Sequence, residues 1–305
     1  MGLPMSAQRI TDDLLRPFQL ERSALRGRLV RLGGALDRIL TRHDYPEPVG
    51  QLLGELLVLA AALAGGLRFQ GTFSLQAKGS GPVSLLLADY THDGAMRGYA
   101  RFDAERIDAG SGMAALLGDG RLALTVDQGD AGAAYQSIVE LTGISLTECM
   151  QTYFRQSEQL KTGLKIAVGR VAENGGWRWR GGGLMVQRLA DQPVDDEHQE
   201  DWHRTMLLLG TATDAELLDP GLPADALLYR LFHEEGVRVF APQDLRFGCR
   251  CTRERVEKLL RSFPDAEVEE MRQDDGLLVV TCQFCNAGFR FDEAQLARLH
   301  TRGAH

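Results

Sequence analysis

Phe247-Gly-Cys-Arg-Cys251 and Cys282-Gln-Phe-Cys285, with thirty residues between the two cysteine pairs, decide how the end of this chain folds. Four thiolates complete a tetrahedral zinc shell, and a Cys-x-x-Cys pair is a strong zinc signal, although Cys-x-Cys and this spacing are less usual in zinc ribbons. The intervening residues can bring the pairs together. Thr252 predicts an N-cap for a helix in which Val256, Leu259, Leu260 and Phe263 share one face. Val268 to Arg272 and Leu277 to Cys282 read as a hairpin turning at Asp275-Gly276. A closing helix from Glu293 to His300, capped by Asp292, would turn Leu296 and Leu299 inward. A module this small needs the metal for stability.

The same cysteines suit a second chemistry. Each pair is close enough in sequence to close on itself as a local disulfide, with a tight, easily reduced ring at Cys249-Arg-Cys251. Arg246, Arg250, Arg253 and Arg255 either favour thiolates at the first pair or form a solvated helix face. Zinc bound by four thiolates contributes about 10–16 kcal/mol of apparent folding free energy, so oxidising the ligands should unfold the module. A site that only holds the fold together is the plainer reading.

The segment before the module is acidic. Residues 191–245 carry thirteen Asp/Glu against three Arg, a net of −10, whereas residues 246–305 balance at ten of each sign. The run DQPVDDEHQED from Asp191 leads into apolar clusters at Met206 to Leu209, Leu217/Leu218 and Leu227 to Phe232. Thr213 with Glu216 fits a capping box, and Pro223 to Glu235 reads as a short helix ended by Gly236. Such short helices depend on what they lie against. The segment is either an ordinary linker with a helical hairpin or a detachable, marginally stable element; its apolar residues would attract non-native proteins once released.

Residues 12–190 mix strand and helix patterns, so the fold class is α+β. Arg26 to Leu32, Phe69 to Gln76, Val83 to Asp89 and Met96 to Phe102 read as strands of an antiparallel sheet; Ala35 to Arg42, Pro48 to Leu63 and Ser145 to Gln156 read as helices. Leu164 to Ala172 and Leu184 to Leu189 read as extended segments flanking the glycine-rich 175–183, in which Trp177 and Trp179 would share a strand face. The predicted organisation is an N-terminal α+β domain with helices against its sheet (1–190), a partly helical linker (191–245) and a small four-cysteine zinc domain (246–305).

Whole-chain properties narrow the function. The 305 residues are 44% hydrophobic, enough for a core, with a net charge of −8 and a pI near 5.4, which opposes broad nucleic-acid binding. Leu56 to Leu67, the longest uncharged apolar stretch, is too short to span a bilayer, and the N-terminus lacks a secretory pattern. The expectation is therefore a cytoplasmic protein with no membrane partner. Five cysteines in 305 residues do not suggest a secreted disulfide framework. No G-x-S-x-G elbow appears and the seven histidines are scattered. Lys78 to Pro82 reads as a turn, and His43, His198, His203 and His233 have structural or solvated readings, so none is assigned a site.

Phe247-Gly-Cys-Arg-Cys251 with Arg255 and Leu259/Leu260, then Val280-Thr-Cys-Gln-Phe-Cys-Asn286 and Phe289-Arg-Phe-Asp292, resembles the zinc module of the redox-regulated chaperones typified by the 33-kilodalton heat-shock protein. His43-Asp-Tyr-Pro46, Gly79-Ser-Gly-Pro82, Arg97-Gly-Tyr-Ala100, Ser157-Glu-Gln159 with Thr162, and Gly182-Gly-Leu-Met-Val-Gln187 are similar to segments of that family in the same order. The resemblance implies an ATP-independent holdase, not an enzyme, inactive while reduced. It implies zinc on Cys249, Cys251, Cys282 and Cys285 and, on oxidation, disulfides joining Cys249 to Cys251 and Cys282 to Cys285. Zinc then leaves, the linker unfolds, and dimers hold unfolding client proteins. Cys149 lies outside this motif. The rival readings are a thiol-disulfide oxidoreductase, for which Cys-x-x-Cys would lie near a βαβ pattern, and a zinc-ribbon nucleic-acid binder, which the acidic linker disfavours.

Overall fold

Apolar side chains on alternate positions of Leu14–Leu20 and Leu25–Leu32 make these segments strands, β1 and β2, of a sheet that spans much of the chain. The computed structural model describes residues 12–129, 132, 134–173, 175–188, 196–273 and 275–301. It divides into two compact units, one ending at Phe247 and the other beginning at Gly248.

The first unit continues through α1 (Gly34–Leu40), α2 (Glu47–Ala64), β3 (Thr72–Gly79), β4 (Val83–Thr91), β5 (Ala95–Phe102), α3 (Met113–Leu117), β6 (Gly120–Asp127) and β7 (Tyr135–Glu140). Then come α4 (Leu146–Gln156), β8 (Thr162–Glu173), β9 (Gly176–Arg188), α5 (Asp196–Gly210), α6 (Asp214–Leu218), α7 (Ala224–Phe232), β10 (Val237–Val239), β11 (Gln243–Asp244) and β12 (Arg246–Phe247). Sheet one runs β10-β1-β2-β9-β8, with β11 also on β1; sheet two runs β12-β5-β4-β3-β6-β7. Every pairing is antiparallel except that of β12 with β5. The fold is α+β, and β1, β6 and β7 add strands beyond those read from the sequence.

Helix α2 fills the space between the two sheets. Fourteen of its eighteen residues are buried, which explains its lack of a polar face. By length and hydropathy it is the one helix among the described residues able to cross a membrane, yet 83% of it is buried inside the protein, the position of a core helix.

The glycine-rich 175–183 is not a break between extended segments. From Gly176 onward it is β9 itself, paired along its length with β8. Trp177 and Trp179 lie two residues apart, but Trp177 is 69% exposed at the hairpin end while Trp179 is 4% exposed against the core. Glycine is required here by helices on both sides. A Cβ at Gly181 or Gly183 would come within 2.8 or 2.6 Å of the Val58 methyls on α2, whereas one at Gly182 would come 2.3 Å from the Leu217 carbonyl oxygen on α6.

That second neighbour belongs to the linker segment. The face of sheet one turned away from α2 presents Phe18, Leu20, Leu29, Leu184 and Val186, which form one buried cluster with Leu209, Leu217, Leu227, Leu231 and Phe232 of α5–α7. The Thr213/Glu216 capping box starts α6, and Gly236 at φ +69° follows the turn after α7.

Two arginines of sheet one fasten this layer. Arg31 and Arg180 are only 3% and 2% exposed. Arg31 donates to the Glu216 and Asp219 carbonyls at 3.2 and 2.6 Å, and Arg180 donates to the Leu218 carbonyl at 2.8 Å. They satisfy the carbonyls that a helix leaves unpaired at its C-terminus. Arg180 is itself paired with Asp12. Within the linker layer, Arg204 of α5 grips the buried Glu235 carboxylate at 2.6 Å.

The second unit contains α8 (Arg253–Leu260), α9 (Asp265–Glu270), β13 (Leu278–Thr281), β14 (Gly288–Phe291) and α10 (Glu293–Thr301). Val268 is helical and does not pair with the later strand; β13 pairs instead with β14, Val280 opposite Phe289. Pro264 at the N-cap, followed by acidic Asp265 and Glu267, starts α9 and overrides the strand pattern. Leu259 is 53% exposed, so the inner face of α8 is Val256 and Leu260.

Arg31→Met is expected to lower the free energy of opening of α6 and α7 by about 1–3 kcal/mol, the scale of lost charge-assisted hydrogen bonds to buried carbonyls. Amide hydrogen exchange should show this as faster exchange there, with β3 and β4 unchanged.

Candidate metal centre

The site starts from two turns that the second unit holds in place. After β13, the Cys282 amide donates to the Ala287 carbonyl at 2.9 Å, and the Asn286 amide donates back to the Cys282 carbonyl at 2.8 Å. Asn286 sits at φ +57°, a left-handed conformation that asparagine tolerates. This tight turn aims Cys282 and Cys285 to the same side. Cys249 and Cys251 precede α8, whose first turn is capped by the Thr252 hydroxyl, 3.3 Å from the Arg255 amide.

Arg255 fixes the first turn by donating to the Arg250 carbonyl at 2.9 Å. Arg253 donates to the Arg290 carbonyl and to Gln295 Oε1 at 3.2 and 3.0 Å and lies 4.3 Å over the Phe291 ring. Gln295 also closes a capping box with Asp292 at the start of α10. Behind the site lies a small core of seven buried side chains, among them Val256, Leu260, Phe291, Leu296 and Leu299.

All four sulfurs lie within 4.8 Å of one another, each half-buried. Cys249 Sγ is 3.7 Å from Cys282 Sγ, and Cys251 Sγ is 3.2 Å from Cys285 Sγ. A tetrahedron of thiolates at about 2.3 Å from zinc has sulfur–sulfur edges of about 3.8 Å, so the cluster has the size of such a shell. Four cysteines in this arrangement can hold a metal ion.

Burial opposes charge on Cys249, but the Cys251 N–H and the thiols of Cys251, Cys285 and Cys282 outweigh it and bring its pKa down to about 7. Burial and the neighbouring sulfurs push Cys251 up, and burial leads the rise at Cys285. The leading favourable contributions at Cys249 are thus an amide and thiols. Arg253 and Arg255 shape the site through their contacts with main-chain carbonyls and Gln295, and Arg246 pairs with Asp93 in the first unit. Sequence reading missed this scaffolding role because their partners are backbone carbonyls, which no residue pattern displays.

Cys149 belongs to the first unit, buried, its thiol donating to the Thr142 carbonyl at 2.6 Å, with burial raising its pKa. It is a core residue.

The Hsp33 protein family model matches residues 13–292. A 33 kDa chaperonin of Caulobacter vibrioides is 41% identical over 289 residues, covering 93% of this chain and 96% of that protein. A 33 kDa chaperonin of Azotobacter vinelandii is 42% identical over 295 residues, covering 95% of each. The crystal structure of the 33 kDa chaperonin of Thermotoga maritima superposes with a TM-score of 0.79 over 96% of this chain and 99% of that one, at 22% identity, and so shares the fold.

Titrating the reduced protein with Co2+ is expected to give the charge-transfer and visible bands of tetrahedral thiolate coordination, and Cys251→Ser should weaken and shift them. Octahedral, weakly absorbing cobalt would refute a four-sulfur centre.

Proposed function

This chain belongs to the Hsp33 family, and we propose that it is a redox-regulated holdase that binds unfolding proteins without ATP and without catalytic turnover. The observation that carries the reading is the cluster of four sulfurs in a unit with seven buried core side chains among the described residues, one residue after the segment that ends the first unit. A core this small leans on its metal.

Zinc is the ion that best fits four sulfur donors at this spacing, with Cys249, Cys251, Cys282 and Cys285 as its ligands. When bound it supplies folding free energy to the second unit. Oxidation by hydrogen peroxide joins two thiolates into a disulfide; two protons are taken up and the peroxide is reduced to two waters. Two such events consume all four ligands, giving Cys249–Cys251 and Cys282–Cys285 and leaving no thiolate for the ion. Every sulfur is within reach of every other, so the local pairing rests on the family resemblance rather than on proximity.

Gly248 alone separates Phe247 from the first ligand, so unfolding of the second unit acts on the chain that ends the linker. Two of the linker helices, α6 and α7, are short, and the segment 191–245 carries a net charge of −10. Its release uncovers Phe18, Leu20, Leu29 and Leu184 together with its own Leu227, Leu231 and Phe232. Contiguous apolar surface of this kind captures non-native chains. In this reading the boundaries of function are the α+β body (1–190), the releasable linker (191–245) and the redox module (246–305), the released form pairs as a homodimer, and the reducing cytoplasm keeps the switch closed.

Light scattering from a chemically denatured client should be suppressed by the peroxide-treated protein and not by the reduced, zinc-loaded one. Peptide mapping should recover the two local disulfides. Equal inactivity of both forms, with zinc loss confirmed, would reject the chaperone switch; cross-paired disulfides would reject the assigned pairing alone.

A further inference from the structure

Helix α2 ends at Ala64, and next to its C-terminal end, bordered by Leu63, Gly66 and Leu67, lies a cavity of about 510 Å3. Its lining is apolar: Leu63, Phe73, Leu124, Val126, Phe154 and Met185 come from α2, both sheets and α4. This volume lies within the range of small-molecule sites, which are typically apolar with a few placed polar groups.

One of the polar groups is a cation. Arg28 of β2 lines the cavity, and its guanidinium lies over Gly66, where a Cβ would come 1.8 Å from Nη2. Nη1 donates to the Ala62 carbonyl at 3.1 Å and points at Met185 Sδ at 3.4 Å. That contact is the familiar use of arginine at a helix C-terminus and accounts for one nitrogen. Among the described residues no carboxylate pairs with Arg28. Burial, with Arg26 adding repulsion, brings its pKa down to about 10, which reflects a cation without a counter-ion. The one carboxylate lining the cavity, Glu158, is exposed and accepts a hydrogen bond from the Tyr153 hydroxyl.

We propose that this cavity is a binding site for a medium-chain carboxylate, its acyl chain among Phe73, Leu124 and Phe154 and its head group paired with Arg28. A cation withdrawn from water without a partner is costly, and a carboxylate offers the two-pronged acceptor that a guanidinium fits. The acyl chain takes the place that a longer α2 would fill. Exposed Leu67 and Tyr135 stand at the lip, where an apolar ligand would enter.

The test is calorimetric titration of the full-length, reduced, zinc-loaded protein with decanoate, kept below its aggregation concentration, and with decanol. Decanoate is expected to bind one per chain at least tenfold more tightly than decanol and to raise the thermal midpoint. Arg28→Met should remove that preference and leave decanol binding unchanged. Val126→Trp, which fills the cavity without touching the arginine, should weaken both ligands at least tenfold and keeps the test open if Arg28→Met fails to fold. Equal affinity for decanoate and decanol, decanoate binding unaffected by Val126→Trp, or no decanoate binding would each overturn the assignment.

Discussion

Sheet one is apolar on both faces, and the rest of the molecule is arranged around that fact. Its strand β9 places Gly181 and Gly183 against α2 and Gly182 against α6, so one strand receives helices from both sides. The two covers are unlike. Helix α2 is wedged between two sheets, so uncovering that face would mean dismantling the body of the protein. Among the described residues the opposite face is covered chiefly by α5–α7, and no second core lies behind these helices. A face covered in one layer by a late segment of the chain is the face that can be uncovered while the body stands.

The polar contacts at that layer fit removal better than permanence. Arg31 and Arg180 are buried charges that donate to main-chain carbonyls. Burying them carries a desolvation cost that the contacts with α6 offset, joined at Arg180 by the Asp12 carboxylate, so the layer gains specificity of position more than stability. Its surface pairs, such as Arg230 with Glu216 and Lys165 with Asp214, contribute little each. The excess of acidic over basic residues in 191–245 opposes compaction.

Legibility followed the range of the interaction. The Thr252 cap, the Thr213/Glu216 capping box and the stop at Gly236 each involve residues a few positions apart, and each could be read from the chain. The four sulfurs were legible together because metal coordination restricts which residue types recur in pairs. Glycine misled in β9, where a run that normally signals a loop serves close approach by helices. Strands β6 and β7 escaped notice because their faces are only half covered, which blurs the alternation. The arginine contacts could not be foreseen: Arg31 meets a carbonyl 188 residues away and Arg253 meets Gln295.

Free energies separate the two halves of the proposed switch. Four-thiolate zinc is worth about 10–16 kcal/mol to the unit that holds it, whereas each arginine–carbonyl contact in the linker layer is worth about 1–3 kcal/mol. In the proposed switch, oxidation would therefore decide whether the second unit is folded. The linker contacts decide something else: how far α5–α7 leave sheet one once that support is gone. On that proposal, sensitivity to oxidant would follow the sulfurs and the turns that hold them, through Arg253 and Arg255, while the extent of exposed apolar surface would follow Arg31 and Arg180. Because these pairs of arginines lie in different units, the threshold and amplitude of the proposed switch would be tunable independently.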